Sequence, residues 1–149
     1  MAFPMDPDTV SHGIQLAVAP VFLLTAVSGM IAAVAGRLAR IINRARNVET
    51  RIKQGNHPAE DEDGYAELAE LRTRGLLANA SIALLTSCAF LIGVTIVVLF
   101  LGETMDFPGL RISIFTFLGG VVCFLSALIC FMVETFIATR LLNFARQRK

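Results

Sequence analysis

Glu134, in the stretch FMVETFIATR, is the only acid set inside an apolar segment or at its immediate edge. An acid so placed pairs with a base or marks an ion path, because a lone charge is costly in hydrocarbon. Suitable bases lie far upstream. Arg37, Arg40 and Arg44, with Arg51 one heptad further on, step by 3, 4 and 7 and fall near one helical face. The favoured reading of Glu134 is an ion pair that ties the third apolar segment to the first, since interfacial depth lowers the cost of the charge. The alternative is a transport role. In a ring of subunits the arginines would form stacked positive rings at a pore mouth, which select anions or disfavour cations. Plainer roles for the same arginines are contacts with anionic headgroups and salt bridges to Glu67, Glu70 and Glu134.

Other polar groups are sparse. Asn79 lies near the inner end of the second apolar segment, where Arg37, Asn43 or Glu134 are candidate partners. The third segment carries a seam of small residues at Thr116, Gly120, Cys123, Ala127 and Cys130, continuing to Glu134 in steps of 4, 3, 4, 3 and 4. The first carries a similar seam through Thr25, Gly29, Ala32 or Ala33, and Gly36. Small residues let another helix approach closely, so helix packing is the favoured reading and a pore lining the other. Cys88, Cys123 and Cys130 lie in apolar stretches without metal-ligand spacing, and His12 and His57 are isolated. No triad, phosphate loop or facing carboxylate pair is present. The chain is therefore expected not to be an enzyme and to need no cofactor or metal.

The elements that hold these residues are long. Of 149 residues 55% are hydrophobic, above the usual share of about 45–50%, and the excess is gathered into three blocks. Each block, residues 14–36, 76–101 and 112–133, exceeds or matches the roughly 20 residues needed to cross a bilayer. The expected fold is all-α and integral to the membrane, a single domain with three transmembrane helices. The first block runs on without a breaker into RLARIINRARNVETRIK, where Leu38, Ile41, Ala45, Val48 and Ile52 keep the 3, 4 rhythm of a coiled coil. Pro20 would fall in the first two turns of that helix, where few hydrogen bonds exist to lose. Residues 60–64 are expected to be an acidic turn, with a second arm from Tyr65 leading into the second block. Residues 37–75 would then form an antiparallel helical hairpin. Residues whose numbers sum to about 112 would lie level, given equal rise along both arms. That sets Arg44 and Arg46 opposite Glu67 and Glu70, and Arg51 opposite the acidic turn. Residues 102–110 are expected to be a loop, and residues 134–149 a basic tail.

Net charge is +1, but its sign is segregated. Eight of the thirteen Lys and Arg lie between the first two blocks, four follow the third, and only Arg111 lies elsewhere. Basic residues in short loops favour the cytoplasm, which places the N-terminus outside and the hairpin and tail inside. The first thirteen residues hold no Lys or Arg and are not a secretory signal.

The run IQLAVAPVFLLTAVSGMIAAVAGRLARIINRAR, with the RTRG that opens the second block, resembles a bacterial membrane-protein family known as domain of unknown function 2721. The likeness covers Ile14 to about Val133 and is most specific at GRLARIINRAR. It implies a bacterial inner-membrane protein and brings no activity or catalytic residue. Three helices alone enclose no useful water-filled path and would leave the seams facing lipid, so a homo-oligomer is expected. The first function expected is an oligomeric ion channel or small-solute pore with a basic cytoplasmic mouth. The alternative is a non-conducting membrane scaffold or accessory subunit that docks a partner or anionic lipid through the hairpin. Membrane lipid, further copies of the chain and a passing ion are the expected partners; a nucleic acid is not.

Overall fold

The structure, a computed structural model, describes residues 7–54, 58–105 and 110–147. These form three helices, α1 (Pro7–Gln54), α2 (Pro58–Met105) and α3 (Leu110–Gln147), and no strand among the described residues. Each holds a stretch long and apolar enough to cross a membrane.

The helices are longer than the sequence reading allowed. α1 begins at Pro7 and α2 at Pro58. Proline is favoured at a first helical position, because its missing N–H has no partner there in any case. The acidic run 60–63 is therefore not a turn but the opening of α2, where the helix dipole favours negative charge. α2 also continues through Gly102 to Met105 and α3 begins at Leu110, so much of the expected loop is helical; residues 106–109 lie outside the described residues. His12 lies on helical backbone. Pro20 is consequently interior to α1 and not in its first two turns, so it does remove a backbone hydrogen bond. Its ring is buried.

The chain packs as two units, Met1–Met30 with Leu84–Leu125, and Ile31–Ala83 with Ser126–Lys149. The core of the first contains Val27, Leu85, Cys88 and Ile92, together with buried Thr95 and Ser113. Its buried hydroxyls are satisfied locally. Thr95 Oγ1 lies 2.8 Å from the Leu91 carbonyl and 2.8 Å from Thr116 Oγ1, joining α2 to α3. The core of the second contains Val34, Ile41, Val48, Leu71, Ala78 and Ala127, with Ser81 and Glu134.

The buried positions keep one rhythm. On α1 they are Pro20, Val27, Val34, Ile41 and Val48, and on α3 Ser113, Gly120, Ala127 and Glu134, each seven from the next. On α2 the steps from Ala78 to Thr95 alternate 3 and 4. A spacing of 3.5 keeps one stripe of a slightly twisted helix against its neighbours. The remaining faces are exposed, meaning uncovered by the chain itself, and strongly apolar. Phe22 is 72% exposed, Phe90 71% and Phe115 73% in the first unit, and Met132 67% in the second. Bulky apolar groups turned outward on this scale belong to a helix whose surroundings are lipid.

The two small-residue seams go to different places. On α3, Gly120 and Ala127 are buried and Thr116, Cys123 and Cys130 half-buried within the chain. A Cβ at Gly120 would stand 3.2 Å from Ile92 Cγ1. The expectation that this seam faces lipid and awaits another subunit is thus corrected at Gly120, where α2 already packs against it. On α1, by contrast, Thr25, Gly29, Ala32, Ala33 and Gly36 are all exposed. A Cβ at Gly29 or Gly36 would meet nothing within 4 Å.

Candidate functional site

Three apolar stretches end near charged residues: α1 after Gly36, α2 before Leu76 and α3 at Val133. The second unit brings these ends together. Glu134 is the meeting point, with its side chain only 2% exposed. Arg37 Nη1 donates to Glu134 Oε2 at 2.9 Å. Arg74 donates to Oε1 through Nε at 3.2 Å and Nη2 at 3.0 Å. Each carboxylate oxygen thus takes one arginine, one from α1 and one from α2. Charge-assisted bonds of this kind are roughly twice as strong as neutral ones.

The neighbours of Glu134 on α3 hold Arg37 in place. Thr135 Oγ1 accepts from Arg37 Nη1 at 2.6 Å and donates to the Phe131 carbonyl at 2.9 Å. The Arg37 guanidinium carbon stands 5.0 Å from the centre of the Phe131 ring, within cation–π range. No buried side-chain nitrogen or oxygen among the described residues lacks a partner. A buried carboxylate is costly unless its lone pairs are met, and here they are.

Beside this clamp lies an open cleft of about 250 Å³. Arg37, Arg40, Arg44 and Arg74 line it with Glu134, over apolar Ile41 and Leu71. Arg40 is exposed and makes no ion pair with a described residue. Arg44 reaches Glu67, through Nε at 2.8 Å and Nη2 at 2.7 Å. The residue numbers of that pair sum to 111, close to the level predicted from helical rise. Arg44 is well exposed and Glu67 partly so, so the pair is worth about 0.2–1 kcal/mol. Glu67→Gln is expected to lower stability by no more than that, with the difference shrinking in high salt; denaturation at two ionic strengths measures it.

Of the residues singled out by sequence, Arg37, Arg40, Arg44 and Glu134 share this cleft. Asn79 does not join them; it is exposed on α2. Arg46 is also exposed and forms no pair with Glu70, because residues two apart on a helix do not share a face. Arg51 lines a smaller cleft with Arg44 and Glu67. The side chains of the acidic run expected opposite it lie outside the described residues, as do those of the tail's basic residues, Arg140, Arg146, Arg148 and Lys149. Sequence reasoning missed Arg74, Thr135 and Phe131. The signal for Arg74 was present, since 37 and 74 sum to 111, close to the sum that marks level residues on the two arms.

A family model described as protein of unknown function (DUF2721) matches residues 17–144. The chain belongs to the DUF2721 family. No curated protein and no solved structure matches it. The DUF2721 match runs past Val133 and so takes in Glu134 and Thr135, together with all four arginines of the cleft.

Proposed function

We propose that this protein is a non-conducting membrane scaffold or accessory subunit. It spans a bacterial inner membrane three times, with residues 37–75 folded as a cytoplasmic helical hairpin and the N-terminus outside. The topology rests on twelve of the thirteen basic residues lying between the first two apolar segments or after the third. The observation that carries the non-conducting reading is the state of Glu134. An ion-path carboxylate must meet the passing ion, whereas this one is 2% exposed and saturated by two arginines of its own chain. The packing of Ile92 against Gly120 supports the same reading, because it occupies a seam that a pore would have to leave open. Liposomes carrying the purified protein are expected to show no flux of potassium, sodium or chloride above empty vesicles. Wild-type flux that Arg40→Gln abolished would overturn the reading.

One observation favours the second reading, an oligomeric pore. Thr25, Ser28, Gly29, Ala33 and Gly36 present an uncovered, weakly polar face on α1, and several such faces could meet around an axis. The mass of the protein in nanodiscs separates the two. A ring of four or more subunits would revive the pore; a monomer or dimer leaves too few helices for a central path.

A further inference from the structure

We infer that the arginine cleft of the second unit is a binding site for a phosphate group, presented by an anionic lipid headgroup. Four guanidiniums line the cleft, and the carboxylates paired to them are Glu134 and Glu67, which leaves a formal charge of +2. A phosphate monoester carries about −1.5 to −2 at neutral pH and matches that excess.

The donors are available as well as the charge. A guanidinium has five N–H groups in a planar fork. Arg37 makes its hydrogen bonds through Nη1 alone, and Arg74 through Nε and Nη2. Arg37 Nε and Nη2, Arg74 Nη1 and the whole of Arg40 are therefore uncommitted among the described residues. The clamp on Glu134 fixes Arg37 and Arg74, so their remaining donors are already ordered when an anion arrives. Preorganised forks of this kind suit bidentate recognition of phosphate.

Size and setting narrow the ligand. About 250 Å³ is below the roughly 300–1,000 Å³ of clefts that hold drug-sized molecules, but it suits a headgroup anion. Gly36, Leu76 and Val133 mark the ends of the apolar stretches beside Arg37, Arg74 and Glu134, which is headgroup depth. Ile41 and Leu71 give the cleft an apolar wall. The inference deepens the scaffold reading and shares its membrane setting, but it does not depend on the absence of conduction.

The test uses the full chain in phosphatidylcholine nanodiscs, with phosphatidic acid added stepwise and bound lipid read by native mass spectrometry. A parallel series adds inorganic phosphate without anionic lipid. Phosphatidic acid is expected to be retained in preference to phosphatidylcholine, with affinity reduced about tenfold in Arg40→Gln, the equivalent of one lost charge-assisted hydrogen bond. Arg111→Gln, which removes the one basic residue distant in sequence from the others, should leave retention unchanged. Arg40 makes no internal ion pair, so its variant is expected to fold. Binding of inorganic phosphate that required Arg40, without selective retention of lipid, would keep the phosphate chemistry but overturn the lipid source. No selective retention of either ligand, or equal losses in Arg40→Gln and Arg111→Gln, would overturn the site. Flux in wild-type liposomes alongside Arg40-dependent lipid retention would sink the non-conducting reading and leave this one standing.

Discussion

Glu134→Ala destabilises the protein by about 3–5 kcal/mol, the range for removing one member of a buried ion pair. The carboxylate bridges two guanidiniums; without it they face one another as like charges. Arg37 and Arg74 are 33% and 20% exposed, so both can partly turn toward water, which draws the effect to the lower end of the range. The arginines themselves behave differently. Arg37→Met or Arg74→Met alone leaves the acid one partner, at a cost of about 1.5–3 kcal/mol for the lost charged hydrogen bonds. The double substitution leaves Glu134 buried at 2% exposure with no base, so its cost exceeds the sum of the two single ones. Equilibrium denaturation in mixed micelles measures all four variants. Strict additivity would show that water, not protein, meets the second lone pair.

Gly120→Leu gives the second large effect, and its control lies on α1. At Gly120 even a Cβ would stand 3.2 Å from Ile92 Cγ1, 3.6 Å from the Cys88 carbonyl oxygen and 3.6 Å from Leu91 Cβ. The carbonyl is backbone and cannot turn aside, so a leucine must push α3 away from α2. Overpacking usually costs about 1–3 kcal/mol, and here the upper part of that range or more is expected. Gly29→Leu meets open space instead. It removes a helix-interior glycine, which favours the helix by up to about 1 kcal/mol. The same change therefore has opposite signs at the two positions in an isolated protomer. Denaturation midpoints measure the contrast, and destabilisation by Gly29→Leu would reveal a second helix seated on that face.

The buried stripes of α3 and of the basic half of α1 were legible because their rhythm is simple. Gly120, Ala127 and Glu134 step by seven, and so do Ile41 and Val48, with Leu38, Ala45 and Ile52 half-buried alongside. The apolar half of α1 misled for a physical reason. It carries two competing stripes, and the rule that small residues mark membrane helix contacts selects Gly29, Ala33 and Gly36. The chain buries Val27 and Val34 instead. Counting back by sevens from Ile41 leads to both valines, so the phase was available but was outweighed. The helix starts were misread similarly. The starts were expected at Ile14 and Tyr65, whereas the helices open at Pro7 and Pro58, because proline breaks an interior turn and suits a first one. Arg74 was lost among other basic residues, because charge counting assigns a side of the membrane and not a partner.

The order of the clamp's members along the chain has a consequence for biosynthesis. Both arginines precede the acid by at least 60 residues. A growing chain thus presents two unmatched positive groups before the third helix exists, and their repulsion opposes early closure of the first pair of helices. Arrival of residue 134 turns that repulsion into attraction at both contacts together. The last helix to be made is the one that locks the others.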